Sequence, residues 1–290
     1  MGEIIGDRFK IIRSLGRGGM GEIYLADDNR LGMKVALKRI GGGIVGDGKA
    51  RFLREVRAAS RLDHPNICAV YGVAAENGEE YIVMQYVDGV TLGQLLKMKP
   101  LSLERVLAIA AQIADGLAAA HGRNIVHRDI KPGNIMIDRG GRVKILDFGL
   151  AQIFPAAGDS DAPDYRSDRD LAEKGMVLGT AAYMSPEQAR GLKLDGRSDI
   201  FSYGVVLYEL IENRNPFADD EDIVTLYNIL HGKVRFSRPA PAALRAVVQK
   251  ALRKDRGRRY RDFGEIRKDL AAVTRALDQS RDGMANLPDK

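Results

Sequence analysis

The run His127-Arg128-Asp129-Ile130-Lys131-Pro132-Gly133-Asn134 is followed, 13 residues after its Asn, by Asp147-Phe148-Gly149 inside an apolar stretch. The spacing places two metal-binding side chains, one carboxylate and one cation within two adjacent strand-loop units, a set suited to handling a nucleotide phosphate. Asp147 and Asn134 offer hard oxygen ligands, and Mg²⁺ usually takes one or two such protein ligands while phosphates and water supply the rest. Asp129 is then free to act on a hydroxyl. Lys131, two residues past it, can neutralise charge that develops on a transferred phosphoryl group. Either motif alone is weak evidence, because a loop Asp or a turn Gly usually has only a structural role. The two at this spacing are far more specific.

Upstream, Gly16-Arg17-Gly18-Gly19-Met20-Gly21 precedes Glu22-Ile23-Tyr24. Residues without Cβ let the backbone approach a phosphate closely, although an ordinary glycine hairpin fits the six residues equally well. Phe9, Ile11 and Leu15 before the glycines, and Ile23, Leu25 and Val35-Ala36-Leu37-Lys38 after them, are strand-like and argue for a hairpin. The same glycines opening a helix after a strand would signal a dinucleotide-binding fold. The next expected helix begins only near Asp47, beyond a second strand, which disfavours that reading.

With these motifs in this order, the chain resembles a protein kinase catalytic domain, most closely the Ser/Thr kinases of that superfamily found in bacteria, over roughly residues 8–275. The resemblance implies an α+β, bilobal fold with a nucleotide cleft between a small antiparallel β lobe bearing one helix and a larger, mainly helical lobe. The catalytic domain is expected over residues 1–277, divided into 1–84, a hinge at 85–88 and 89–277, with a linker-like tail at 278–290. Helices are expected near 47–62, 91–98, 102–122, 198–213, 220–231, 241–253 and 262–276.

The roles carried over from the family are as follows. Lys38 contacts the α- and β-phosphates and pairs with Glu55, on a helix whose Phe52, Val56 and Ala59 recur at helical spacing. Gly16, Gly18, Gly19 and Gly21 cover the phosphates. Tyr81-Ile82-Val83-Met84 runs into the hinge Gln85-Tyr86-Val87, whose backbone bonds adenine, with Met84 as gatekeeper, Ile23 and Ala36 as roof and Met136 as floor. Asp129 accepts the substrate hydroxyl proton and aligns the oxygen, while Asn134 and Asp147 hold Mg²⁺, for which Mn²⁺ can substitute, with ATP as the donor. Asp-x-Lys-x-x-Asn resembles Ser/Thr rather than Tyr kinases, and Thr180 bonds Asp129 and Lys131. His127 supports Phe148, Asp199 caps the loop's backbone, and Glu187 pairs with Arg259, with Arg258 as the alternative partner. Ser185 stands where relatives more often carry Ala, and Arg256 where they carry Pro.

Residues 150–184 are the least family-like part. They lack Ser and Thr across Leu171 to Leu178, where many relatives place activating phosphosites, and carry Asp159, Asp161, Asp164, Asp168, Asp170 and Glu173. Arg128 would normally meet a loop phosphate. Asp170 or Glu173 is expected to stand in for that phosphate in part, with a solvated acidic loop as the alternative. Ser160, Ser167 and Tyr165 are the remaining phosphosite candidates.

The chain's 290 residues suffice for two lobes with separate cores. A single cysteine, Cys68, excludes an intrachain disulfide and a cysteine-based metal site. No apolar run is long enough to cross a bilayer, and the N-terminal residues lack the basic start and apolar core of a signal peptide. The expected location is the cytoplasm, whether as a separate domain or as the cytoplasmic part of a longer, membrane-anchored protein. The net charge of +6 collects in Arg245 to Arg275 beside a helical apolar face. No recognition motif accompanies it, so no nucleic-acid partner is expected. The expected partners are proteins with Ser or Thr acceptors, and the oligomeric state is not legible. A scaffold that binds nucleotide or a partner without catalysis is the alternative. A small-molecule kinase is disfavoured by the peptide-docking segment Gly179 to Glu187.

Overall fold

The computed structural model of the chain describes residues 3–18, 21–40, 47–148 and 181–285. The first part is a six-stranded antiparallel sheet built from β1 (Ile4–Ile5), β2 (Phe9–Gly18), β3 (Gly21–Asp28), β4 (Met33–Ile40), β5 (Val70–Glu76) and β6 (Glu79–Gln85), in the order β1-β2-β3-β4-β6-β5. Alternation along β4 sorts its side chains between two cores. Val35 and Leu37 join Ile5, Phe9, Ala26, Tyr81 and Val83 on one face. Ala36 and Ile40 join Phe52 and Val56 of helix α1 (Asp47–Ala59) on the other. Lys38 belongs to this second face by the same period and is buried.

After β6 the chain enters a second, mainly helical part. It holds a three-stranded sheet of β7 (Gly89–Thr91), β8 (Ile135–Asp138) and β9 (Val143–Ile145), and helices α2 (Leu92–Met98), α3 (Leu103–His121), the short α4 (Pro186–Ala189), α5 (Gly196–Glu212), α6 (Asp222–His231), α7 (Ala242–Ala251) and α8 (Phe263–Ala285). Thr91 with Gln94, Ser102, and Ser185 with Gln188 cap the N-termini of α2, α3 and α4 through their side chains. In α5 every residue from Ser198 to Tyr208 is buried. A helix apolar almost all round belongs inside a domain, and α5 is the post around which α3 and α7 pack. The expected two-lobed α+β architecture is what forms, with β8 and β9 carrying the loops that face the first sheet.

Two expected boundaries move. Helix α5 starts at Gly196, N-capped by Asp195, whose carboxylate accepts from the Arg197 amide, so Asp199 lies one turn inside the helix instead of at its start. The last helix continues to Ala285, eight residues into the segment expected as a linker. The core it serves ends earlier, at Val273 and Leu277.

Close packing of α5 on α7 is set by Gly204, where an added Cβ would meet Ala251 Cβ at 2.9 Å and Leu252 Cδ2 at 3.0 Å. Gly204→Ala gains up to about 1 kcal/mol of helix propensity, but overpacking a methyl fixed to a helix costs about 1–3 kcal/mol. The variant should therefore unfold at a lower urea concentration than the natural chain, and a higher midpoint would refute this account of the contact.

Candidate active site

The turn between α3 and β8 brings most of the polar machinery together. Asp129 Oδ2 lies 2.8 Å from Lys131 Nζ, and Asn134 Nδ2 donates to both Asp129 Oδ2 and Asp129 O at 2.8 Å. One carboxylate oxygen is thus held by an ammonium and an amide, which fixes its direction. The His127 ring is buried. Its Nε2–H donates to Leu146 O at 2.6 Å and its Nδ1 accepts from the Asp129 amide at 3.2 Å, a tautomer assigned from these partners. Phe148 packs edge-on against the ring at 4.7 Å between centroids. His127 therefore ties the loop of Asp129 to the one of Asp147.

Both loops contain a backbone conformation that L-residues rarely adopt. Arg128 has φ 70° and Asp147 φ 59°, each costing about 1–3 kcal/mol unless surrounding bonds enforce it. At Arg128 the enforcing bonds come from Asp199, whose Oδ1 accepts from the Arg128 amide and whose Oδ2 accepts from the His127 amide, both at 2.8 Å. The Arg128 carbonyl accepts from Gln188 Nε2 at 2.7 Å. Gln188 was not singled out from the sequence, although Ser185-Pro186-Glu187-Gln188 carries the Ser-x-x-Gln capping signature that locates it. Arg128 Nε is buried and meets no hydrogen-bond acceptor among the described residues.

Above the loops, Lys38 Nζ lies 2.7 Å from Asp147 Oδ2. The pairing follows from the sheet, because β4 projects Lys38 toward the second part of the chain, and Glu55 stands half-buried on α1. The expected roof, hinge and floor residues do meet. Ile23, Ala36, Met84, Val87 and Met136 share one apolar cluster with Leu146, drawn from both parts of the chain. Gln85 ends β6 where the chain crosses to the second part, its amide bonded to Ala69 O at 2.8 Å. Gly16 has φ 150° and Gly21 φ 134°, and Gly18 pairs with Gly21 across the β2–β3 turn. Gly19, Ser160, Ser167, Asp170, Glu173 and Thr180 lie outside the described residues.

Among the described residues no group of three or more His, Cys, Asp or Glu side chains is placed to hold a metal ion. A caged structural metal is thus not supported there, but the pair Asn134 and Asp147 fits the sparse oxygen set that Mg²⁺ takes when phosphates complete its shell. Beside Lys131 a cavity of about 300 Å³ is lined by Gly93, Lys97, Tyr183, Glu209 and Asn213, among others. Tyr183 donates to Glu209 there at 2.6 Å. Burial pushes the Cys68 thiol up to about 12, mainly by desolvation, which leaves it unreactive. Among the described residues no helix is long and apolar enough to cross a membrane.

The base of the site rests on a buried ion pair. Glu187 Oε1 and Oε2 face Arg259 Nη1 and Nη2 at 2.7 and 2.8 Å, and Ser198 Oγ donates to Oε1 at 2.8 Å. Arg258, the other candidate for Glu187, turns outward to Asp255. Burial alone would push the Glu187 carboxyl up, but the Arg259 and Ser198 bonds outweigh it and hold it below the usual range. A lowered folded-state pKa gives stability that is complete above the unfolded value of about 4.3 and lost as pH falls through the folded value. Urea midpoints measured from pH 6 downward should therefore fall more steeply in the natural chain than in Glu187→Gln. At neutral pH, Arg259→Leu should lose about 3–5 kcal/mol by stranding a buried carboxylate. Equal pH slopes would remove the pair from this role.

The family described as the protein kinase domain matches residues 9–267. A probable serine/threonine-protein kinase of Streptomyces coelicolor is 41% identical over 287 residues, covering 92% of this chain and 40% of the relative. Serine/threonine-protein kinase PknB of Mycolicibacterium smegmatis is 39% identical over 93% of this chain and 43% of its own length, and serine/threonine-protein kinase PrkC of Bacillus subtilis is 36% identical over 93% and 41%. The chain thus spans about two fifths of the length of these relatives.

Proposed function

Because the chain belongs to the protein kinase family, we propose that it transfers the γ-phosphate of ATP to Ser and Thr hydroxyls of proteins, itself included. The observation that carries this reading is the fixed Asp129 carboxylate, bonded by Lys131 and Asn134 at 2.8 Å, on a loop that His127 ties to the one of Asp147. Phosphoryl transfer asks a protein mainly for position and charge stabilisation. Asp129 orients the attacking hydroxyl and accepts its proton at Oδ. Lys131 neutralises charge on the moving group and Lys38 binds the donor's inner phosphates. Asn134 and Asp147 would hold Mg²⁺, or Mn²⁺ in its place, which when bound neutralises the phosphate oxygens. The glycines Gly16, Gly18, Gly19 and Gly21 cover those phosphates, and adenine lies among Ile23, Ala36, Met84, Val87 and Met136, bonded to the Gln85–Val87 backbone.

The acceptor is a peptide, bound along the segment before Glu187 and over the cavity beside Lys131, with Thr180 steadying Asp129. Glu55 pairs with Lys38 when α1 moves inward. The domain acts in the cytoplasm, where ATP is supplied. Labelled γ-phosphate should pass to the chain itself and to a generic Ser/Thr protein, and Asp129→Asn and Lys38→Met should each reduce the rate at least about 100-fold. A natural chain no faster than these variants would move the reading to a scaffold that binds without catalysis.

The unsatisfied Arg128 Nε supports a regulatory reading, in which Asp170 or Glu173 stands in part for the phosphate that orders the loop of relatives. Ser160 and Ser167 are then dispensable. Changing both acids to Asn should lower phosphate transfer about 10-fold or more, by the roughly 1.5–3 kcal/mol of a hydrogen bond to a charged group, while Ser167→Ala leaves it intact. The opposite pattern assigns the switch to Ser167.

A further inference from the structure

Between α6 and α7 the chain runs from Gly232 to Pro241 without helix or strand pairing. Exposure alternates along it: Lys233, Arg235, Ser237 and Pro239 are exposed, and Val234, Phe236, Arg238 and Ala240 are half-buried. A period of two marks an extended chain. The inner side is bound to the domain. Val234, Phe236 and Ala240 pack against the helical core, and the Phe236 ring lies 5.3 Å from that of Tyr208, whose hydroxyl donates to Arg235 O at 2.7 Å. The outer side presents a serine in a basic stretch. The other exposed Ser and Thr side chains among the described residues, Ser14, Ser60, Ser102 and Thr274, sit in a paired strand or at or within helices.

One carboxylate fastens the segment at Ser237. Glu212, the last residue of α5, keeps 3% of its surface. Its oxygens accept from the Ser237 amide at 3.0 and 3.1 Å, from the Arg238 amide at 3.0 Å and from Ser237 Oγ at 2.5 Å. The hydroxyl is the donor that leaves by rotation about one bond, since the amides belong to the main chain. Arg214 Nε stands 3.8 Å from Glu212 Oε2 with 59% of its side-chain surface exposed, so a cation lies at the same edge. A phosphate on Ser237 would place a charge of about −2 beside the buried carboxylate. It would repel Glu212 and attract Arg214, Arg235 and Arg238. The segment thus has two arrangements, one closed on Glu212 by a neutral hydroxyl and one opened by a dianion.

We propose that Ser237 is an acceptor for this enzyme itself, phosphorylated by a second copy, and that the phosphate unfastens the segment between α6 and α7. The proposal rests on the reading of the chain as a Ser/Thr protein kinase. In the step, Ser237 Oγ bonds the γ-phosphorus of ATP and the bond from that phosphorus to the β,γ-bridging oxygen breaks, leaving ADP. The hydroxyl proton passes to Asp129 of the second copy. The segment continues directly from α6, which packs against the Ala181–Tyr183 turn ahead of Glu187. Loosening it disturbs the acceptor-binding side of the site, so the modification limits the activity that produced it.

The Asp129→Asn chain, used as acceptor, separates the event from its consequence. Incubated with ATP, Mg²⁺ and a trace of the natural chain, it should gain phosphate at Ser237, located by mass spectrometry. Phosphate reaching a generic Ser/Thr protein while Ser237 stays bare would overturn the proposal and leave the kinase reading intact. No transfer to either acceptor would remove that reading and the proposal with it. Amide hydrogen exchange in the peptide spanning Arg235 to Pro239 should be at least about 10-fold faster once Ser237 is phosphorylated, the effect of losing hydrogen bonds to a charged group. This measurement needs no change at Ser237. The natural chain and Ser237→Ala should transfer phosphate to the generic protein at initial rates within about twofold of each other, and after preincubation with ATP Ser237→Ala should be about 3- to 10-fold faster. Unchanged exchange, or equal rates after preincubation, would overturn the unfastening.

Discussion

A carboxylate with no exposed surface cannot be left short of donors, since the hydration it has lost must be replaced bond for bond. Asp199 meets that demand with two amides from the loop before Asp129 and the ring of His121. Moving the loop would strand a buried charge. This makes the φ of 70° at Arg128 tenable, because a conformation costing about 1–3 kcal/mol persists where the surroundings over-determine it. The direction of Asp129 is a consequence of the same bonds, one residue further on.

The second buried charge follows the same logic from the opposite side. Glu187 and Arg259 form a bidentate pair that also takes in Ser198 of α5 and the carbonyls of Arg253 and Arg197. Pairs such as Arg261 with Asp262 or Arg139 with Asp88 lie in water and contribute about 0–1 kcal/mol each. They do not decide the fold. Both deciding carboxylates meet at α5, and Gln188 joins them by capping α4 with one end of its amide and holding the Arg128 carbonyl with the other. The loop of Asp129 is therefore fastened to a helix whose removal from water is nearly total.

What was legible in the sequence tracks how locally each feature is determined. Alternation in Val35-Ala36-Leu37-Lys38 and the apolar period of Phe52, Val56 and Ala59 assign the two faces of the first sheet, because burial acts residue by residue. The grouping of Asp129, Lys131 and Asn134 is legible for the same reason, since six residues in one turn can hardly avoid each other. The ion pair of Lys38 with Asp147 is not, since it joins residues 109 positions apart and no local pattern marks it. His121 leaves still less trace. It is a lone histidine ending an apolar helix, and its meaning depends on a glycine 75 residues later that leaves room for it. The helix runs on past Leu277, the last α8 side chain packed against the core among the described residues.

The ion pair between Lys38 and Asp147 spans the two parts of the chain, since β4 carries one charge and the loop after β9 the other. At 2.7 Å, in a cleft where Lys38 keeps 5% and Asp147 20% of its side-chain surface, the attraction is screened far less than at an open surface. The reading of the site assigns these two charges to a phosphate and to a metal ion. A nucleotide with its metal offers each of them a new partner of opposite sign, so the pair would be exchanged and the net count of satisfied charges kept. The exchange would release Asp147 from the sheet and let Lys38 turn to the phosphates. The floor, pinned by Asp199 and His127, has no such freedom. Motion in this molecule is thus expected above the cleft, while the geometry of Asp129 stays fixed beneath it.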